Sequence, residues 1–275
     1  MPSIRPKDLE NLSGDQICYL FCFVVEYTNI GFAILFGAML LTKLSAGCFG
    51  FRFLGMSLIL MGVALLILCY ISCSLTRHVE LGLAKMACCT FPLLVAMAAL
   101  GIFALAVSTK GGGKSIPGRS YKEYHVESYS HWMVKKVNDT NNWENYYKKA
   151  VIKGRVCNAF FNQYQLDKLD EFYQRPLDAF EWGCCKPPEE CNFNYTSPAK
   201  WIKPEIGNYS NNDCNRWDND PNILCFNCQS CKAAFLQDLK HHWFTTGIVF
   251  VFLGAKTLIL SICMICALTS QQFIG

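Results

Sequence analysis

The 17 cysteines of this 275-residue sequence are its most chemically informative residues. Cys184 and Cys185 are adjacent, and the eight-membered ring of a bond between them would be strained. Each is therefore predicted to bond a different, non-adjacent partner, with Gly183 supplying a backbone conformation that a Cβ would hinder. Together with other cysteines of the same polar segment, they form the predicted disulfide set: Cys157, Cys184, Cys185, Cys191, Cys214, Cys225, Cys228 and Cys231.

Three of these cysteines, Cys225, Cys228 and Cys231, also have a spacing that a zinc site or a thiol oxidoreductase could use. No histidine is positioned to complete a zinc site, so disulfides are the preferred interpretation, and no metal or cofactor is predicted. Eight cysteines allow about 105 pairings, which leaves the connectivity open.

The sequence contains no G-x-S-x-G, H-E-x-x-H or P-loop motif, so no catalytic residue and no enzymatic activity are predicted.

The elements that position these cysteines follow from four apolar blocks in a chain that is 52% hydrophobic. Roughly 20 apolar residues cross a bilayer, so the blocks predict transmembrane helices at residues 17–41, 53–73, 86–108 and 243–268. The other segments are the tails 1–16 and 269–275, a small loop 42–52, an inner loop 74–85 and a large loop 109–242. The predicted fold is an all-α membrane protein, a four-helix transmembrane bundle with a disulfide-rich, mainly helical large extracellular loop.

The orientation in the membrane is predicted from the large loop, which combines the cysteines with glycosylation sequons at Asn138, Asn194 and Asn208. This combination places the loop outside the cell and both termini in the cytosol of a multi-pass plasma-membrane protein. A fourth sequon, at Asn11, then falls on the cytosolic side, where it would not be used.

The formal charge of +4 comes without a basic run, so no nucleic-acid partner is predicted.

A second group of cysteines lies at the membrane edge of the predicted helices. Juxtamembrane cysteines are substrates of S-palmitoylation, although a free cysteine can also be retained as a small apolar packing residue. The predicted lipidation sites are Cys18, Cys22, Cys69, Cys73, Cys88, Cys89, Cys263 and Cys266.

Three polar residues interrupt the apolar blocks: Glu26, Asn29 and Lys256. Glu26 and Lys256 fall near the middle of the antiparallel first and fourth spans, so they are predicted to pair at similar depth, with Asn29 adding a hydrogen bond. The alternative is a protonated Glu26 and a Lys256 that extends toward the membrane surface. The same two residues motivate an alternative function, a small transporter or channel.

The large loop has three kinds of local pattern. The aromatic and charged run from Tyr121 to Tyr147 suggests helix. Apolar residues at three- and four-residue spacing over 156–182 predict amphipathic helix packed under the disulfides. Residues 186–222 are rich in Pro, Asn and Asp and are predicted as loop and turn, which either contacts partners or is a solvated loop without a binding role.

Taken together, these features resemble the tetraspanins, and the stretch Gly183-Cys184-Cys185-Lys186-Pro187-Pro188 is similar to the plant branch of that family. Cys48 also matches a cysteine expected in the first loop of plant members. Three further stretches agree with that branch: Gly113-Lys114 through Gly118-Arg119-Ser120-Tyr121-Lys122-Glu123-Tyr124, then Cys191-Asn192-Phe193, then Asn219-Asp220-Pro221 through Cys225-Phe226-Asn227-Cys228-Gln229-Ser230-Cys231-Lys232-Ala233.

The resemblance, rather than composition or spacing, implies a function. Tetraspanins are non-catalytic organisers of membrane microdomains that associate laterally with one another and with receptors. Plant members are linked to cell differentiation and development. Related tetraspanins hold polar groups in an intramembrane cavity that can accept a sterol. The partners that the resemblance implies are membrane lipids, such a sterol among them, and other tetraspanins and membrane receptors, with the chain in a homo- or hetero-oligomer.

Overall fold

The computed structural model describes residues 79–204 and 209–274, together with isolated positions nearer the start of the chain: Gly31, Ile34, Met56, Ile59, Leu60, Gly62, Val63, Ala64 and Ile67. Residues 104–245 belong to one compact unit, named here the cysteine-rich domain. A second compact unit contains residues 79–103 and 246–274.

The helices and strands are numbered here in chain order. They are α1 (Val79–Ser108), β1 (Lys114–Ser115), β2 (Lys122–Glu123), a 3-10 turn (Val126–Ser128), α2 (His131–Asn138), α3 (Thr140–Asn142), a π-helical turn (Trp143–Tyr147), α4 (Lys148–Lys153), α5 (Val156–Tyr164), α6 (Leu169–Tyr173), α7 (Ala179–Cys184), a 3-10 turn (Glu189–Cys191), β3 (Asn194–Ser197), β4 (Lys200–Ile202), α8 (Asp213–Arg216) and α9 (Gln229–Ile274).

Helices dominate the cysteine-rich domain, and two of the predicted helical segments are more broken than their patterns suggest. Over 121–147 the chain is helical only from His131, because β2 and a 3-10 turn come first. Over 156–182 three short helices replace a longer one, with Pro176 in the second break, between α6 and α7. A proline disfavours helix in the residue before it, which explains that break.

A β-hairpin lies where the sequence predicts only loop and turn. β3 and β4 pair antiparallel, with Tyr195 opposite Trp201 and Asn194 opposite Ile202. Tyr195 and Trp201 lie on the inner face, and their rings are 5.5 and 6.1 Å from that of Phe172. Asn194 and Ile202 are exposed on the other face. This period-two alternation covers too few residues to stand out in a Pro- and Asn-rich segment.

Phe172 of α6 is the centre of the domain's aromatic core and is fully buried. Besides the two hairpin rings, its ring lies 6.0 Å from Phe160 of α5 and 6.5 Å from Tyr121. A second cluster packs Phe235 of α9 against Trp143 and Tyr147, at 6.1 and 4.6 Å. Aromatic packing therefore joins the hairpin to α5 and α6 in one cluster, and the π-helical turn to the first turns of α9 in another.

In the second unit, α1 and α9 approach each other through glycines. A Cβ added to Gly101 would lie 3.1 Å from Val251 and 3.2 Å from Phe250. On the facing helix, a Cβ added to Gly254 would meet Met97 at 3.8 Å. Small residues that let two helices approach closely are typical of packing inside membranes.

Large apolar side chains remain exposed on both of these helices. Phe91 and Ile102 of α1 are 69% and 65% exposed, and Ile259 of α9 is 59% exposed. Within the part of the chain that the structure describes, one helical stretch, Gln229–Cys263, has the length and composition to cross a membrane, and an 18-residue window within it has a mean hydropathy of 2.0. A shorter apolar stretch covers Leu94–Ser108. Of the predicted four-helix bundle, the third and fourth helical segments are therefore described as continuous helices, and the first and second only at isolated helical positions.

Candidate functional site at the paired cysteines

The structure joins the eight cysteines of the domain in pairs. Cys185 bonds Cys157 of α5, and Cys184 bonds Cys231 in the first turn of α9. The other bridges are Cys191–Cys214 and Cys225–Cys228. The adjacent cysteines thus reach different partners, 28 and 47 residues away in sequence. Because Cys184 and Cys185 both lie at the end of α7, their disulfides link this short helix to α9 and to α5.

Three of the bridges close long loops, with sequence separations of 28, 47 and 23 residues. By the loop-closure argument each such bridge stabilises the fold by about 3–4 kcal/mol, through restriction of the unfolded chain. Cys225 and Cys228 are only 3 residues apart, so their bridge restricts the unfolded chain much less and instead fixes the turn that leads into α9.

The geometry of the cysteines contradicts the two alternative chemistries for Cys225, Cys228 and Cys231. All three sulfurs are in disulfides, so no thiolate remains to bind zinc. All three residues are also fully buried, which denies a substrate disulfide any access to a reactive sulfur. Among residues 79–204 and 209–274, no group of three His, Cys, Asp or Glu side chains could hold a metal ion.

The paired cysteines are positioned by the start of α7 and by one close backbone approach. Asp178 and Glu181 form a reciprocal capping box, with hydrogen bonds of 2.8 and 2.9 Å that fix where α7 begins. A Cβ on Gly183 would lie 2.4 Å from the carbonyl oxygen of Ser230. Gly183 has no left-handed φ, so it is needed for this close approach to α9 rather than for its backbone conformation.

Asp213 holds the first turn of α9 from another part of the chain. Its Oδ1 accepts the backbone N–H of Gln229 at 2.8 Å, and its Oδ2 accepts that of Ser230 at 3.0 Å. A carboxylate at this position accepts hydrogen bonds from N–H groups that the start of a helix leaves unpaired. It also interacts favourably with the positive end of the helix dipole. Asp213 was not among the predicted residues, because a cap supplied from 16 residues away has no local sequence signal.

Lys186 follows the paired cysteines and is buried, with 1% of its side chain exposed. Its Nζ donates to the carbonyl oxygen of Pro187 at 3.3 Å and lies 3.7 Å from Oε1 of Glu189. The ammonium is also 5.2 Å from the ring centroid of Tyr121 and 5.6 Å from that of Trp182. One carboxylate and two aromatic rings therefore compensate a charge that has lost its water.

Burial and charge set the protonation of this cluster. Burial lowers the pKa of Lys186 to about 8, against the opposing effect of Glu189. Burial alone would raise the pKa of Glu189, but Lys186, the Tyr121 hydroxyl and Arg119 outweigh it and hold that pKa below its usual value. Burial and the hydrogen bond to Glu189 raise the pKa of Tyr121. At neutral pH the cluster therefore contains a charged lysine, a charged carboxylate and a neutral tyrosine.

Two of the predicted glycosylation sites lie among the described residues, and both asparagines are exposed. Asn138 ends α2 and accepts a hydrogen bond from Nζ of Lys232 at 3.3 Å. Asn194 begins β3, while Asn208 lies outside the described residues. Glycosylation stays a prediction for all of them.

The predicted lipidation and intramembrane residues are only partly described. Cys263 and Cys266 are exposed on α9, outside the disulfides, and Cys88 and Cys89 lie within α1. Lys256 lies in α9 with its Nζ 5.3 Å from the ring centroid of Phe252. The remaining predicted residues lie outside the described part of the chain: Cys18, Cys22, Cys69, Cys73, Glu26 and Asn29.

The buried lysine predicts a specific pH dependence of stability. Because the pKa of Lys186 is lower in the folded chain than in the unfolded chain, its contribution to stability should rise with pH above about 8. Relative to a Lys186→Met variant, the wild type should gain about 1–2 kcal/mol between pH 8 and about 9.5, as measured by unfolding midpoints of the full chain. Lys200→Met, which removes an exposed lysine, is the matched control and should follow the wild type. A constant difference between wild type and Lys186→Met over this range would mean that Lys186 is solvated.

Comparison with known proteins agrees with this geometry. A sequence profile of the tetraspanin family matches residues 17–271. Tetraspanin-7 of Arabidopsis thaliana is 36% identical over 201 residues, which cover 70% of this chain and 73% of that protein. Tetraspanin-8 of the same plant is 38% identical over 173 residues, covering 62% and 63%. Protein TORNADO 2, also from Arabidopsis thaliana, is 32% identical over 170 residues and 62% of each chain. No solved structure shows significant similarity to the chain.

The profile match covers most of the chain, including the paired cysteines and the long apolar part of α9. Members of this family are membrane proteins and non-catalytic scaffolds, and the relatives at 36% and 38% identity are plant proteins. The chain therefore belongs to the tetraspanin family, in its plant branch, and is a scaffold protein rather than an enzyme.

Proposed function

We propose that this tetraspanin organises plasma-membrane microdomains by holding receptors and other tetraspanins in lateral complexes, as a homo- or hetero-oligomer, and that it acts in cell differentiation and development. The observation that carries the proposal is the link between domain and membrane helix. α9 begins inside the cysteine-rich domain at Gln229 and contains the apolar stretch that is long enough to cross a membrane. A partner bound to the domain would thus be held beside the membrane.

The transporter or channel alternative gains no support from the family match. Its sequence motivation was the presence of Glu26 and Lys256 in apolar blocks, and the tetraspanin family accounts for the chain without a transported substrate. The scaffold proposal therefore needs a test that identifies neighbours in the membrane rather than flux across it.

Proximity labelling in native plant membranes tests the scaffold proposal. The chain, tagged at its C-terminus, should label other tetraspanins and single-span receptors several-fold more than an unrelated four-span protein with the same tag. Flux measurements on the purified chain in liposomes should show no solute uptake above that of empty liposomes. Equal labelling by the two tagged proteins would reject the scaffold proposal, and specific flux would favour the transporter.

The proposed topology has the cysteine-rich domain outside the cell and both termini in the cytosol. Support comes from the coincidence of the disulfides with the sequons at Asn138, Asn194 and Asn208. Glycosidase treatment should lower the apparent mass of the wild type. The apparent mass of a variant with all three asparagines changed to Gln should stay the same. A mass shift that depends on Asn11 would show the opposite topology.

Membrane-edge cysteines are the proposed acylation sites, and the exposure of Cys263 and Cys266 on α9 supports their access to an acyltransferase. Acyl-biotin exchange should label the wild type and lose the label when the cysteines of the predicted lipidation set are changed to Ser. Absence of label in the wild type would leave packing as the reason for these cysteines.

Within the proposed four-helix bundle, Glu26 and Lys256 are proposed to pair, with Asn29 and the hydroxyl of a membrane sterol as further hydrogen-bond partners. The supporting argument is the cost of a lone charge in the bilayer, roughly 2.5–3.5 kcal/mol on insertion scales. A double-mutant cycle of Glu26→Gln and Lys256→Met should be non-additive. Additive losses of stability would exclude the pair.

A further inference from the structure

A cleft of about 240 Å³ lies in the cysteine-rich domain, directly after the paired cysteines. Pro187 and Pro188 form part of its lining, so the turn that leaves the disulfides also shapes the cleft. Three aromatic rings and three polar side chains supply most of the remaining wall: Tyr173, Phe193, Trp201, Arg119, Glu189 and Asn192. Aromatic walls with a few polar groups are typical of small-ligand sites, although this volume is below the usual range of about 300–1,000 Å³.

Contacts within the domain hold the side chains of Arg119 and Glu189, and the backbone of Asn192, before any ligand binds. The Arg119 guanidinium lies 3.2 Å from the ring centroid of Tyr173, and its Nε lies 3.5 Å from Oε1 of Glu189. Asn192 has a φ of +50°, which places it at a defined bend after the 3-10 turn. Its backbone N–H donates to the carbonyl oxygen of Glu189 at 3.0 Å. A site that is already ordered loses less entropy when a ligand binds.

Glu189 leaves one carboxylate oxygen available to a ligand. Its Oε1 accepts from the Tyr121 hydroxyl and from Arg119, and the ammonium of Lys186 lies 3.7 Å from the same oxygen. In the described part of the chain, the side-chain hydrogen bonds to Glu189 all end on Oε1, and none is accepted by Oε2. The side chain is 30% exposed and lines the cleft, so Oε2 can accept a hydrogen bond from a bound molecule.

The charges in the cleft wall select against ionic ligands. Arg119 and Glu189 are the two charged residues that line it, and they form an ion pair of 3.5 Å, with the ammonium of buried Lys186 on the same carboxylate oxygen. A bound cation would be repelled by the guanidinium of Arg119, and a bound anion would be repelled by Oε2 of Glu189. A neutral ligand avoids both penalties, provided that it donates hydrogen bonds to Glu189 and Asn192 and has an apolar face for the rings.

We propose that this cleft binds a neutral saccharide ring. The hydroxyls of a pyranose donate to Oε2 of Glu189 and exchange hydrogen bonds with the Asn192 amide, while its C–H face packs on an aromatic wall. The small volume fits a terminal or single ring rather than a long chain. The ring is supplied either by a free oligosaccharide or by the glycan of a neighbouring glycoprotein, since both present the same chemistry.

The test uses the full chain, treated with glycosidase and held in a detergent without a sugar head group, so that neither its own glycans nor detergent fill the cleft. The probes are methyl α-mannoside, methyl β-glucoside, glucuronate, and a high-mannose glycoprotein with its deglycosylated form. Titrations followed by saturation-transfer NMR should give saturable binding of a neutral glycoside, the glycoprotein or both, and weaker binding of glucuronate. Binding of the glycoprotein alone would identify a protein-attached glycan as the source.

Two variants assign that binding to the cleft. Asn192→Gly removes the amide at a φ that glycine tolerates, and it should raise the Kd about tenfold. Glu189→Gln should also weaken binding, but it changes the partner of buried Lys186 and could impair folding. Arg155→Gly is the matched control, because Arg155 is exposed, has a φ of 49° and is not part of the cleft.

Absence of saturable binding by every neutral probe would overturn the saccharide proposal, as would equal Kd values for Asn192→Gly and Arg155→Gly. Tighter binding of glucuronate than of the neutral glycosides would overturn it as well. None of these results would alter the neighbours found by proximity labelling, so the saccharide proposal and the scaffold proposal fail independently.

Discussion

The cysteine-rich domain depends on one covalent constraint: two adjacent cysteines that are each joined to a distant partner. Cys185 is joined to α5 and Cys184 to α9, so the end of α7 holds both helices. This arrangement requires α7 and α9 to approach closely, and Gly183 permits it because a Cβ would overlap the carbonyl oxygen of Ser230. Ser230 in turn donates its hydroxyl to the carbonyl oxygen of Gly183 at 2.8 Å. The two disulfides and this backbone contact therefore reinforce each other.

The turn after the disulfides forms part of the wall of the proposed binding cleft. Lys186 lies inside the domain and keeps the Glu189 carboxylate ionised, with help from Tyr121 and Arg119. Burying an ion pair contributes little to stability in general, because the desolvation of both charges opposes their attraction. The ion pair instead positions Glu189, and through it Arg119, in the wall of the cleft. Pro187, the residue after Lys186, lines the same cleft. The disulfides hold the domain together, and buried Lys186 helps to orient Glu189, the one carboxylate that lines the cleft.

The sequence predicted the features that depend on neighbouring residues, and it missed those that depend on distant contacts. Two different partners for Cys184 and Cys185 follow from ring strain alone, whereas their identities depend on which helices meet. The cap on α9 is unpredictable for the same reason, since Asp213 reaches Ser230 across 17 positions. The cleft requires four segments to meet, around Arg119, Tyr173, Glu189 and Trp201, and no local pattern connects them. The burial of Lys186 opposes the ordinary preference of lysine for water, so only the packed structure reveals it.

The disulfide connectivity at the paired cysteines is the central claim, and mapping of non-reduced peptides tests it most directly. The full chain is digested without reduction, and tandem mass spectrometry with dissociation that cleaves S–S bonds identifies the partner of each sulfur. The account predicts Cys184 linked to Cys231 and Cys185 linked to Cys157, with no free thiol at either position of the pair. A bond between Cys184 and Cys185, or the exchanged pairing of Cys184 with Cys157, would contradict it.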